Sequence, residues 1–203
     1  EARQLTQADA AFSPSEFIAR TYERFERVKP AVIRTPIALD PIQEDETIYQ
    51  THLSGMKYLL YFGALKGVKG VDILIKALPR ILTMYEDIGF VLVGRNDPFP
   101  DGERDFESIQ RGLPGFLSKK RILYFPSLPQ GQLFPLISHA LGVVMPSRMD
   151  NYPNACLEAL SLGVPVIGTY QSSLDEMIED GTTGFLAENG NPLSLAQAVD
   201  RLL

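Results

Sequence analysis

Five short runs of apolar residues punctuate the chain: Tyr58 to Phe62, Phe90 to Val93, Ile122 to Phe125, Val143 to Met145 and Val164 to Ile167. Continuous rather than alternating, each reads as a strand buried on both faces. Between the first two runs, Val71, Leu74, Ile75, Leu78, Ile81, Leu82 and Tyr85 recur at spacings of three and four, which predicts one amphipathic helix from Val71 to Tyr85. A second helix is expected from about Pro153 to Leu162, with Pro153 at its first position and Gly163 just past its end. Asn191-Pro192 opens a last one, carrying Leu195, Ala196, Val199 and Leu202. Strands alternating with helices predict an α/β fold, a Rossmann-like doubly wound parallel sheet.

The first forty residues have a different rhythm. A short apolar stretch, Ala10 to Phe12, precedes a Ser13-Pro14-Ser15 helix start, an amphipathic helix to about Val28, and a second apolar stretch, Ala31 to Ile33. This predicts one strand-helix-strand unit. The acidic run Glu44-Asp45-Glu46 and nearby prolines read as a linker. The expected division is therefore residues 1–40, a linker over 41–54, and a main domain over 55–203. The start, Glu-Ala-Arg-Gln, and a final helix still amphipathic at Leu203 predict an excerpt of a longer protein.

Composition narrows the function classes. With 203 residues and a net charge of -6, the chain lacks the cationic surface that holds a nucleic-acid backbone. No apolar run approaches the roughly 20 residues of a membrane span. One cysteine, Cys156, and two histidines, His52 and His139, make neither a zinc cluster nor a disulfide, so no metal is expected and a reducing compartment is. These three residues and the acidic run of the linker are read as structural or solvated.

In an open parallel sheet, ligands bind beyond the carboxyl ends of the strands. The residues there are Gly63 to Gly70, Gly94-Arg95-Asn96-Asp97, Pro126-Ser127-Leu128, Pro146 to Asp150, and Gly168 to Ser173. Gly63, Gly67 and Gly70 before a helix suit the approach of an anion such as a diphosphate, with Lys66 and Lys69 beside them; plain turn geometry is the alternative. Arg95 and Arg148 are further candidates for phosphate, or else solvated. Asp150 and Glu158 bracket Asp150-Asn151-Tyr152-Pro153-Asn154-Ala155-Cys156-Leu157-Glu158. A loop folding back over the helix start can aim both carboxylates into one cleft, where each accepts hydroxyl donors from ribose or a sugar ring. Alternatively, Asp150 caps the helix and Glu158 faces water.

Taken in order, Lys69-Gly70-Val71-Asp72, Val91-Leu92-Val93-Gly94, Pro146-Ser147, Asp150-x7-Glu158-Ala159-Leu160, Gly163-Val164-Pro165-Val166-Ile167, Glu176 and Asp180-Gly181-Thr182-Thr183-Gly184-Phe185-Leu186 resemble the C-terminal, donor-binding domain of family-4 retaining glycosyltransferases of the GT-B fold. The resemblance covers about residues 55 to 203, and it makes residues 1–40 resemble the tail of an N-terminal, acceptor-binding domain. It implies a nucleotide-diphosphate sugar as substrate, with no cofactor and no metal. Glu158 then takes the ribose hydroxyls and Asp150 the donor sugar, where the family usually has Glu. Lys69 matches the family's phosphate lysine, while Ala64 stands in its arginine position and Lys66 is the candidate replacement. Gly63, Gly94, Ser127, Asn151 and Tyr152 complete the expected donor site, with Asp150 and Lys69 as the catalytic pair. The implied partners are the donor, a carbohydrate, lipid-linked or other hydroxyl acceptor, and the chain's own N-terminal domain, in the cytoplasm or at the cytoplasmic membrane face. An epimerase of the same architecture and a non-catalytic nucleotide-sugar-binding module are the alternatives. A dinucleotide-binding dehydrogenase is disfavoured, because no G-x-G-x-x-G follows a strand.

Overall fold

A computed structural model describes residues 8–37, 42–96, 111 and 121–203; Asp97 lies outside the described residues. Two parallel sheets are present among them. The smaller joins β1 (Phe12–Ser13) to β2 (Ala31–Val32) across α1 (Glu16–Glu26). This is the strand-helix-strand unit expected, although its helix stops at Glu26 because Arg27 turns left-handed at φ 55°. Ser15 caps α1 by accepting the Ile18 N–H.

The larger sheet has six strands: β3 (Lys57–Phe62), β4 (Ile88–Val93), β5 (Ile122–Phe125), β6 (Gly142–Val144), β7 (Val166–Thr169) and β8 (Gly184–Ala187). All pair in parallel, in the order β5-β4-β3-β6-β7-β8. The sixth strand was not expected. Its apolar run, Phe185 to Ala187, is short and follows a glycine. β7 begins at Val166, two residues later than expected, so Gly168 and Thr169 lie inside the sheet rather than at its mouth.

Alternate side chains of each strand enter opposite cores. On one face, Leu59, Tyr61, Phe90, Leu92, Val144 and Ile167 pack with α3 (Val71–Met84) and α6 (Pro192–Leu202). On the other, Tyr58, Leu60, Phe62, Val91, Val143 and Val166 meet residues of α4 (Gln130–Ser138) and α5 (Asn154–Ser161). Helices on both faces make the sheet doubly wound, and they explain why its strands are apolar throughout. Of the predicted face of α3, Val71, Leu74, Leu78, Ile81 and Leu82 are all within 1% of full burial, while Ile75 and Tyr85 are partly buried against the same core. Each such side chain contributes about 1.5–3 kcal/mol relative to exposure.

The stretch read as a linker contains α2 (Thr47–His52), where Tyr49 stacks on His139 at 3.8 Å between ring centroids. Pro153 sits just before α5, as its cap residue, rather than at its first position. Among the described residues, no helix is long and apolar enough to cross a membrane.

Candidate functional site

The strand order reverses between β3 and β6, and their connections leave in opposite directions. The crevice this opens at the carboxyl ends is where a doubly wound sheet takes its ligand. A cleft of about 480 Å³ lies there, lined by Gly63, Ala64 and Lys69 after β3 and by Met145, Ser147, Asp150, Asn151 and Tyr152 after β6. Pro14 and Thr35 of the first unit close its far side. A second hollow of about 320 Å³ shares Phe62, Gly63 and Ala64 with the cleft and continues past Gly94, Arg95, Ser127, Leu128 and Leu133.

Lys69 and Asp150, 81 residues apart in sequence, meet at the cleft: Lys69 Nζ donates to Asp150 Oδ2 at 2.7 Å. The same oxygen accepts from Ser147 Oγ at 3.2 Å, and Oδ1 accepts the Asn151 N–H at 3.0 Å. The Asp150 side chain is only 11% exposed. Lys69 therefore reaches the cleft already bonded to a carboxylate. Additional anion-seeking groups are backbone amides. Asn154 and Ala155 open α5 on the cleft wall, where the first N–H groups of a helix lack intrahelical acceptors and carry partial positive charge.

Each glycine has its own physical reason. A Cβ on Gly70 would stand 1.8 Å from the Pro146 carbonyl oxygen, and one on Gly94 would stand 1.8 Å from the Gly63 carbonyl oxygen. Both glycines therefore serve the close approach of one backbone to another. Gly63, at φ 137°, has only the Tyr61 hydroxyl 3.9 Å from its would-be Cβ, and it lines both hollows. The expected anion loop is a short 3-10 turn, Gly67–Lys69, and Lys66 in front of it is exposed and lines neither hollow.

Arg148 is exposed, lines neither hollow, and has its side chain tied to neighbouring groups. Its guanidinium forks onto both Asp72 carboxylate oxygens, at 2.5 and 2.6 Å, and donates to the Gly67 carbonyl at 2.7 Å. That fork staples the Asp150 loop to the turn carrying Lys69 and holds the Asp72 carboxyl below its usual range. Glu158 lines neither hollow. It is half-buried on α5, its Oε1 accepting from Gln130 Nε2 at 3.2 Å, and burial raises its pKa above the ordinary glutamate value. Asp150 and Glu158 are thus not brought together at the lining of one cleft. Cys156, fully buried, has its thiol pushed up to about 12, mainly by burial, which makes it inert at neutral pH. Among the described residues, no three His, Cys, Asp or Glu side chains are grouped to hold a metal ion.

Three buried hydroxyls hold the Asp150 loop from beneath, and none of them was singled out from sequence. Thr169 Oγ1 donates to the Ser147 carbonyl at 2.6 Å and Ser172 Oγ to the Thr169 carbonyl at 2.7 Å. Ser173 Oγ donates to the Asp150 carbonyl at 2.8 Å and accepts the Tyr152 N–H at 2.9 Å. Ser172 and Ser173 stood in the stretch after the fifth apolar run, but their burial has no local signal. Glu176, three residues on, accepts the N–H groups of Glu16 and Phe17 and so caps α1 from 160 residues away.

Comparison with known proteins sharpens this chemistry. The chain is 28% identical over 151 residues to a D-inositol 3-phosphate glycosyltransferase of Acidothermus cellulolyticus, covering 71% of this chain and 33% of that protein. It is 30% identical over 151 residues to the alpha-D-kanosaminyltransferase of Streptomyces kanamyceticus, covering 71% and 36%. The chain thus spans about a third of the length of these relatives. In fold it is similar to the sucrose-phosphate synthase of Thermosynechococcus elongatus, with a TM-score of 0.77 at 23% identity over 99% of this chain and 50% of that one. It is also similar to Anabaena HepE, solved with UDP-glucose, with a TM-score of 0.75 at 20% identity over 95% and 53%. The parallel six-stranded sheet is the one found in GT-B glycosyltransferases. The model of the family described as "Glycosyl transferases group 1" matches residues 56–203, and the chain belongs to that family.

Proposed function

We propose that this chain is the donor-binding, C-terminal half of a retaining, family-4 glycosyltransferase, moving a sugar from a nucleotide-diphosphate donor to an acceptor hydroxyl. The observation that carries the reading is the Lys69–Asp150 pair, placed at the switch-point cleft beside the N-terminus of α5. Relatives named as glycosyltransferases support it. So does the likeness in fold to a protein solved with UDP-glucose.

Residues 55–203 form the donor domain in this reading. Residues 1–40 are the tail of an acceptor domain, joined through a linker over 41–54. The exposed Phe12, Phe25 and Ile33 of the first unit fit a surface that further chain covers. The diphosphate lies over Gly63 against the amides of Asn154 and Ala155, and Lys69 balances the charge that grows on it as the sugar leaves. Asp150 accepts from the sugar hydroxyls and Glu158 from those of the ribose. The acceptor hydroxyl attacks from the face the diphosphate vacates and passes its proton to the departing diphosphate oxygen, so catalysis rests on positioning and charge stabilisation rather than on a strong protein base. No metal takes part, and the single buried cysteine fits a cytoplasmic, reducing setting.

A second reading, a nucleotide-sugar-binding module without transfer, is favoured by Ala64, which faces the cleft where the family resemblance expects an arginine. Calorimetry and transfer assays separate the two. Both readings expect UDP, GDP or ADP and the matching sugar nucleotide to bind in the presence of chelator, and silence from all of them at millimolar concentration refutes both. Glu158→Ala weakens the free nucleoside diphosphate, whereas Asp150→Ala, which releases Lys69, does not weaken it and lowers the preference for the sugar-bearing donor over it, each by about 1.5–3 kcal/mol. Equal losses of both ligands in both variants refute the role assignments. Transfer by a chain extended at its N-terminus, and none by residues 1–203, supports the half-enzyme; a longer chain that binds without transferring supports the module.

A further inference from the structure

Asp150 owes its place to a side chain that never reaches the cleft. Ser173, fully buried, opens the 3-10 turn Ser173–Glu176 that follows β7. Its one hydroxyl donates to the Asp150 carbonyl and accepts the Tyr152 N–H, so it clamps the backbone on both sides of Asn151. Tyr152 there takes φ 62°, a conformation a non-glycine residue keeps only when its surroundings over-determine it. The turn is itself anchored at both ends: the Ser172 hydroxyl accepts the Leu174 N–H, and Glu176 is bound to the first amides of α1. Ser173 is therefore a fixed point, and the Asp150 loop hangs from it.

We propose that Ser173 is a positioning residue for sugar recognition, setting where the Asp150 backbone sits so that its carboxylate meets the donor's sugar. The proposal rests on the reading of Asp150 as the sugar's partner. Two sets of bonds divide the work. Lys69, Ser147 and the Asn151 N–H fix the direction of the carboxylate relative to its own backbone. Ser173 fixes the backbone. Without its hydroxyl, the Asp150 carbonyl and the Tyr152 N–H lose their shared partner, Tyr152 relaxes toward negative φ, and the carboxylate swings off the sugar. The amides of Asn154 and Ala155 belong to α5 and stay where they are, so the diphosphate end of a ligand does not register the change.

The test compares the affinities of UDP with UDP-glucose, GDP with GDP-mannose and ADP with ADP-glucose, by calorimetry on the full chain. In Ser173→Ala, the preference for the sugar-bearing member falls about tenfold, the size of one well-placed hydrogen bond, while the nucleoside diphosphate binds as in wild type. In an Asp150→Ala background, the same change lowers the preference no further, since the two act as one unit. An unchanged preference in Ser173→Ala, or an equal drop in both backgrounds, overturns the role of Ser173 and leaves that of Asp150 standing. If Ser173→Ala does not fold, Ser173→Thr, which keeps the hydroxyl, must fold and keep the preference; its failure on either count also overturns the proposal. A wild-type chain that prefers no sugar-bearing ligand overturns the reading of Asp150, and this inference with it.

Discussion

Gly70 and Gly163 share a backbone conformation, φ 74°, and differ in what surrounds them. A Cβ on Gly163, just after α5, meets nothing within 4 Å. A Cβ on Gly70, at the start of α3, would stand 1.8 Å from the Pro146 carbonyl oxygen and 2.6 Å from its carbon. Ordinary contact begins at 3.4 Å, so the oxygen would have to retreat by 3.4 − 1.8 = 1.6 Å. It has little room to do so, since on either side of Pro146 the Met145 N–H is bonded to the Ile167 carbonyl at 2.7 Å and the Arg148 N–H to the Val68 carbonyl at 3.0 Å. Alanine in the left-handed region costs about 1–2 kcal/mol on its own, and forcing an added methyl into a packed site costs about 1–3 kcal/mol more. Gly163→Ala is thus expected to cost about 1–2 kcal/mol and Gly70→Ala about 2–5 kcal/mol. At about 2–4 °C per kcal/mol for a chain of this size, Tm falls roughly twice as far for Gly70→Ala. Urea unfolding with matched m-values gives the free energies. Because Gly70 follows Lys69 and Pro146 stands four residues before Asp150, Gly70→Ala also weakens nucleotide-sugar binding, whereas Gly163→Ala leaves it alone. Equal losses of stability in the two variants would refute the close-approach argument, whatever happens to binding.

Three other perturbations follow from single contacts. Burial raises the Glu158 pKa, so its contribution to stability is complete below the ordinary glutamate range and is lost as pH rises through the raised value; Glu158→Gln, which cannot ionise, gains on wild type above that window and not below it, and urea unfolding across pH reads the difference. Asp72, held low by Arg148, behaves oppositely: its contribution is present above the usual carboxylate range and disappears as pH falls through the depressed value, so Asp72→Asn costs about 1 kcal/mol or less at neutral pH and nothing in strong acid. Arg121 donates to the carbonyls of Leu82, Tyr85 and Ile88 and thereby closes the end of α3 onto β4; Arg121→Lys loses the fork and costs about 1–3 kcal/mol in urea unfolding, and no change would refute that account.

What the sequence disclosed follows the range over which its signals act. The α3 helix was legible because seven apolar residues recur within fifteen positions, and β3, β4 and β5 because each is a compact apolar run. The mouth of the sheet was legible by inference, since residues after buried strands have one place to go. Partnerships were not legible. Lys69 finds Asp150 across 81 residues and Arg148 finds Asp72 across 76, and no local pattern marks either pair. Glycine spacing suggested an anion loop, yet Gly70 and Gly94 answer to backbones brought near by the fold. Ser173 has the identity of an ordinary loop serine, and its burial became visible only once β7 was in place.

The crossing of the loops after β3 and β4 also limits how such a site changes. Where Gly94 rides against the Gly63 carbonyl, a single peptide serves as a wall of both hollows, and neither chamber can be reshaped there without disturbing its neighbour. The adjustable surfaces are the outer ends: Ser127, Leu128 and Leu133 for one chamber, Pro14 and Thr35 for the other. A substitution at either rim alters one chamber alone, whereas a change at the shared partition alters both.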